Sequence, residues 1–188
     1  MTFVKPALHW LSRTARDPPF WVFIVLLPLL VFLCQKLSLG SIRFMKAYLP
    51  DLTHSSRIVN YSAIIQSTGL ESMVFKNFIV APLREEFWYR FLPFFSVWLA
   101  WWAWKRETPP RLVAAFVLIV TSVWFGYIHG GFGNVPIQGA LGLIFGLVYL
   151  KMSAYGRKPL LGLFAAVLLH GAYNFYIALR LQHYLAGL

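Results

Sequence analysis

Six acidic residues serve the whole 188-residue chain, and two of them, Glu85 and Glu86, stand side by side at the head of an apolar run. In Arg84-Glu85-Glu86-Phe87-Trp88-Tyr89-Arg90 the arginine follows Glu86 by four residues. On a helix Glu86 and Arg90 share a face, while Glu85 points about 100° away. The two carboxylates can then divide the work. Glu86 pairs with Arg90 and holds structure, and Glu85 is left for chemistry. His129 closes a second apolar run, in Phe125-Gly126-Tyr127-Ile128-His129-Gly130-Gly131. His170 and Asn174 lie four apart inside the last run, so their side chains meet on one helix face. A carboxylate shielded from bulk water is a good general base for activating water.

Each motif alone also has a plain structural reading. An acid pair is favoured at a helix start by the helix dipole. A histidine before a Gly-Gly stop is a common C-terminal cap. A polar pair inside an apolar helix can hold two membrane helices together. The combination is more specific, because ionisable groups within spans are costly and usually mark function.

The elements that must carry these residues are membrane spans. The chain is 59% hydrophobic and 18% aromatic, with only 12% charged residues, against about a quarter charged in soluble domains. The formal net charge of +11 would suggest nucleic acid in a soluble protein. Here the cations sit between apolar runs, at Lys105, Arg106 and Arg111 and at Lys151, Arg157 and Lys158. That is how topology-setting charges are placed. There is no aromatic-basic binding motif, so nucleic acid is excluded as a partner and membrane lipid is implied. The single cysteine, Cys34, forbids an intrachain disulfide and is expected to be buried.

Pro18-Pro19 ends any preceding helix. Phe20 to Cys34 follows without a small-residue cleavage site, so it reads as a retained span. Ser38 to Arg57 reads as a loop or interfacial segment, broken at Pro50-Asp51. Ile58 to Pro82 is moderately apolar but carries Asn60, Gln66, Glu71 and Lys76, and reads as a further span or an interfacial helix. Phe87–Trp104, Leu112–Ile128, Val135–Leu150 and Leu160–Leu179 are clearer. The tryptophans at 98, 101, 102 and 104 mark a membrane–water boundary. Gly139, Gly142 and Gly146 lie on one helical face and invite close packing. The expectation is an all-α, polytopic membrane helix bundle of about six transmembrane helices, forming one integral membrane domain over residues 1–188. By span counting, segments 105–111 and 151–158 fall on one side, the cytoplasmic one. His170 then lies about 16 Å into its span, and Glu85 and His129 approach from the opposite side. The three can converge at a depth that opens towards the outer face. The N-terminus is outside if 58–82 spans and inside otherwise.

These residues resemble the family of CAAX proteases and bacteriocin-processing or immunity enzymes, which includes the type II CAAX prenyl endopeptidases. Its pattern is Glu-Glu-x-x-x-Arg, Phe-x-x-x-His and His-x-x-x-Asn, each on its own membrane helix. This chain has Glu85-Glu86-x-x-x-Arg90, Phe125-x-x-x-His129 and His170-x-x-x-Asn174 in that order, within a core over roughly residues 70–180. The resemblance implies a glutamic-type intramembrane endopeptidase without a cofactor. Glu85 and His129 would activate water, His170 and Asn174 would stabilise the oxyanion, and Glu86 and Arg90 would support them. The implied partner is a membrane-embedded protein or peptide. Some small bacterial members accompany C-terminal sorting signals and process a membrane-anchored tail. An outward-facing site in a bacterial plasma membrane suits that role better than it suits a cytoplasmic prenylated substrate.

Two rivals remain. A zinc metalloprotease could use the two histidines and a glutamate, although His-Glu-x-x-His is absent. A non-catalytic immunity or peptide-maturation factor could keep the fold without depending on Glu85. A proton-relay transporter would need broken helices in paired halves, which the sequence lacks. His9, His54 and His183 are expected to be solvated, and Glu71 to be a packing group.

Overall fold

A computed structural model describes residues 18–49, 72 and 75–186. Among them five helices form and no strand does. Helix α1, Phe20–Tyr48, starts directly after Pro19, whose extended backbone (ψ 150°) and fixed ring set the chain's direction. It continues past Cys34, where a loop was expected from Ser38. Cys34, Ser38 and Met45 are buried while Lys36, Arg43 and Lys46 are exposed. That spacing keeps one face inward, so the polar residues of 38–48 decorate a helix rather than end it.

Helix α2 is built from four runs, Lys76–Val80, Ala81–Glu86, Phe87–Phe91 and Leu92–Lys105, with right-handed helical backbone at each junction. The first and third runs are wide π turns, in which Ala81 N–H reaches Lys76 O and Leu92 N–H reaches Phe87 O. Prolines explain them. Pro82 and Pro93 lack the N–H that an α-helix would give to the carbonyls of Phe78 and Tyr89, and widened turns absorb the gap. Residues 75–82, read from sequence as the end of a separate span, are therefore the first turns of the helix that carries the acid pair. Residues 58–71 of that segment, with His9, His54 and Glu71, lie outside the described residues.

Arg106, at φ 58°, ends α2, and Pro109-Pro110 leads into α3, Arg111–Ile128. Gly130 and Gly131, at φ 147° and 78°, turn the chain sharply after α3. A short 3₁₀ turn, Phe132–Asn134, follows. Helix α4 begins with a π turn, Val135–Gly139, that contains Pro136, and continues over Ala140–Met152. Helix α5 is Pro159–Ala186.

The helices alternate in direction. Phe20 stacks near Phe164 at 5.6 Å, and Tyr176 Oη donates to Gln35 Oε1 at 2.9 Å, so α1 runs parallel to α5. Phe78 meets Phe175 while Glu86 meets His170, so α2 runs against α5. The end of α1 and the start of α2 therefore lie at the same end of the bundle. The start of α1 lies at the other end, with the basic connections 105–111 and 151–158.

Helix α4 is the centre. One side of it joins Phe23, Cys34, Ala165, Leu169 and Tyr173, and the other joins Phe94, Val117, Leu118 and Ala166. Its glycine face meets α3 as expected. A Cβ at Gly139 would lie 3.0 Å from Ser122 O, and one at Gly126 of α3 would lie 2.6 Å from Val135 Cα and 2.8 Å from Gly139 N. Outside, Leu112, Phe116, Val25 and Leu160 are more than two-thirds exposed, a surface suited to hydrocarbon and not to water. Phe20–Tyr48, Arg111–Ile128, Phe132–Met152 and Pro159–Arg180 are long and apolar enough to cross a membrane. The protein is an all-α polytopic membrane bundle.

Gly126→Ala must push against backbone on α4, which cannot move as a side chain can. It should lower stability by about 1–3 kcal/mol, read as a lower thermal midpoint in detergent. Gly40→Ala, where a Cβ meets nothing within 4 Å, should leave the midpoint unchanged or raise it.

Candidate active site

Glu85 and Glu86 occupy the six-residue α-helical run between the two wide turns of α2. Glu86 is wholly buried. Its Oε2 lies 3.3 Å from Nε of the equally buried Arg90, and its Oε1 lies 2.8 Å from His170 Nδ1. The arginine contact is ionic rather than an aligned hydrogen bond, and the guanidinium lies over aromatic rings. Its Cζ is 4.2 Å from the Phe125 ring centre and 5.9 Å from that of Phe145. Gly142 makes room for it, since a Cβ there would sit 2.8 Å from Arg90 Nη2.

His170 reaches Glu86 because its neighbour is a glycine. A Cβ at Gly171 would collide with the Phe78 carbonyl, so only glycine lets α5 press against α2 at this level. The imidazole is then sandwiched on Phe145, with ring centres 4.6 Å apart and 19° between planes.

His129 caps α3. Its Nδ1 is 2.6 Å from the Phe125 carbonyl. A carbonyl only accepts, so Nδ1 carries a proton and donates it. Nε2 then faces Glu85 Oε2 at 3.5 Å. His170 Nε2 faces the same oxygen at 3.8 Å. Two imidazoles, each with Nδ1 tied to an acceptor, thus present Nε2 to one carboxylate oxygen.

Glu85, Glu86, Arg90, His129 and His170 therefore come together. Asn174 stands one turn further along α5, half-buried, and donates through Nδ2 to the Asn77 carbonyl at 3.1 Å. One of its amide hydrogens is thereby used to join α5 to the start of α2. Sequence reasoning did not single out Asn134, whose Nδ2 donates to the His129 carbonyl at 2.5 Å and fixes the Gly130-Gly131 turn. Its only signal was a buried-type amide five residues after the histidine. Nor did it single out Phe145, a core aromatic by pattern. Glu85 and His129 open onto a pocket of about 290 Å³ with Arg84, Trp88, Tyr89 and Ile128. Among the described residues no group of three or more His, Cys, Asp or Glu side chains is arranged to hold a metal ion.

A family model for Rce1-like type II CAAX prenyl endopeptidases matches residues 68–176. The chain belongs to this family. Rce1-like proteins are intramembrane proteases that act on membrane-associated protein substrates. The matched residues take in the acid pair, both histidines and Asn174. No curated protein and no solved structure matches the chain.

Arg90→Met keeps the bulk but leaves the buried Glu86 carboxylate without its guanidinium partner. It should destabilise the protein by about 3–5 kcal/mol, seen as loss of a cooperative thermal transition or of folded yield in detergent. Glu85→Gln, at the partly exposed mouth, should leave the transition in place.

Proposed function

We propose that this protein cleaves a membrane-anchored protein or peptide near its C-terminal tail. Glu85 and His129 act as the water-activating pair, and His170 and Asn174 act at the oxyanion. The observation that carries this reading is the convergence of both Nε2 atoms on Glu85 Oε2 at the floor of an open pocket. Water held between Glu85 and His129 attacks the peptide carbonyl carbon as its proton passes to Glu85. The carbonyl oxygen becomes an oxyanion, which His170 Nε2–H and the second amide hydrogen of Asn174 stabilise. The proton then returns through His129 Nε2 to the leaving amine as the C–N bond breaks. The local charges suit this. Glu86 and Arg90 cancel, and Glu85 is balanced by His170, which is an imidazolium when it donates from both nitrogens.

Residues 1–188 form a single membrane domain in this reading, with the catalytic core over 70–180. The site faces outward from a bacterial plasma membrane, with the basic connections in the cytoplasm. A zinc-dependent reading draws on the same atoms, because a carbonyl or carboxylate behind each Nδ1 is also how metal-binding histidines are oriented.

Coexpression with candidate membrane-anchored substrates tests the proposal. Glu85→Gln should reduce cleavage by about 10²–10⁴-fold, with insertion and thermal midpoint unchanged, and a strong chelator should leave the wild type active. Activity lost on chelation and restored by Zn²⁺ would establish the metal reading instead. Cleavage by Glu85→Gln at the wild-type rate would sink the mechanism.

A further inference from the structure

The three motifs leave one charged residue at the site without a task. Arg84 precedes the acid pair, stands outside the Glu-Glu-x-x-x-Arg pattern, and lines the same pocket as Glu85 and His129. It is exposed, and among the described residues it has no ion pair, hydrogen bond or ring contact. The other charges here are matched. Glu86 faces Arg90 and His170, and Glu85 faces His129 and His170. Among the described residues the pocket therefore carries one unbalanced positive charge, next to the carboxylate assigned to the chemistry.

Helix geometry sets where that charge stands. Arg84 and Trp88 are four apart and share one face of α2, while Glu85 and Tyr89 share the next. These two rungs make one wall of the pocket, and Ile128 and His129 at the end of α3 make the other. Tyr89 is held edge-on to Phe125, with ring centres 5.6 Å apart, which fixes the Glu85 rung from behind. A pocket of about 290 Å³ is small for a ligand site. It suits a short extended stretch of peptide better than a helix about 10 Å across. Extended peptide advances about 3.3 Å per residue, so a substrate with a carbonyl at Glu85 brings a neighbouring group to Arg84.

A guanidinium is always charged, and its fork matches a carboxylate with paired hydrogen bonds. A substrate carboxylate entering this pocket is repelled by Glu85, and Arg84 supplies the countercharge. About 30 Å of helix separates Arg84 from Lys105, one hydrocarbon thickness. The guanidinium thus lies at the membrane boundary, where an anionic group arrives without crossing lipid.

We propose that Arg84 is a specificity-determining residue that selects substrates with a carboxylate beside the bond to be cut. This rests on the proteolytic reading of the same pocket. The carboxylate is the substrate's own C-terminus or an acidic side chain next to the scissile bond, and both offer the guanidinium the same chemistry.

A photoreactive apolar peptide, added to the full chain in detergent, tests this. It is made with a free C-terminal carboxylate, with a C-terminal amide, and as the amide carrying one aspartate or one asparagine. Binding is read in the Glu85→Gln protein, so that no peptide is consumed. An acid form should label it about tenfold more than the matching neutral form, as expected for a charge-assisted hydrogen bond. Whether the terminal acid or the aspartate is preferred identifies the source of the carboxylate. Adding Arg84→Gln should abolish the preference, and Arg84→Lys, which keeps the charge without the fork, should retain part of it. Lys76→Gln, at an exposed site on α2 outside the pocket, should leave it intact. Equal labelling by acid and neutral forms would overturn the proposal, as would a preference that survives Arg84→Gln or falls as far in Lys76→Gln. Complete displacement of the acid form by phosphatidylglycerol would assign Arg84 to lipid headgroups instead. The wild type is then given the same peptides. Cleavage without an acid preference would remove this proposal and leave the protease standing. Labelling that depends on Arg84, without cleavage, would keep the carboxylate site and count against hydrolysis.

Discussion

A carboxylate and a guanidinium buried together between membrane helices govern the rest of this structure. Neither Glu86 nor Arg90 touches solvent, and such a pair is stable only if each member keeps its partner and gains further contacts. Arg90 gains the faces of Phe125 and Phe145, and Glu86 gains the Nδ1–H of His170. Those contacts come from α3, α4 and α5. The pair therefore fixes where three other helices stand relative to α2, and Glu85, one residue along, inherits a position between two imidazoles. The glycines at 142 and 171 belong to the same constraint, since a methyl group at either would collide with Arg90 or with the α2 backbone.

The wide turns of α2 serve that geometry. A π turn holds the chain back by one residue against the α-helical register, and the acid pair sits on the six ordinary residues between two such turns. The directions of Glu85 and Glu86 relative to the rest of α2 are therefore set by Pro82 and Pro93 as much as by the acids' own spacing.

Local spacing of polar residues made the cluster legible in the sequence. Glu86 and Arg90 at i and i+4, Phe125 and His129 at i and i+4, and a histidine inside the last apolar run all translate directly into contacts, because an α-helix preserves such intervals. The glycine face of α4 was legible for the same reason. Longer-range features were not. The length of α1 was missed because its inward stripe of Cys34, Ser38 and Met45 is small and mixed, whereas the residues that catch the eye, Lys36, Arg43 and Lys46, face outward. The start of α2 was missed because Lys76 looks unfit for a span, although the main-chain carbonyl of the next residue, Asn77, accepts from Asn174. The partner of Asn174 is 97 residues away, and no periodicity encodes that.

The helices differ in length in a way that bears on water. Helix α1 has 29 residues, about 43 Å, and α3 has 18, about 27 Å. Hydrocarbon is about 30 Å thick. Lipid beside α1 meets an overhang, while lipid beside α3 must thin to meet a helix that ends early. His129 is the residue at that early end. A bilayer that thins to match α3 would bring the aqueous phase closer to the histidine that faces Glu85. The second reactant of the proposed hydrolysis would then come from the flank of the membrane.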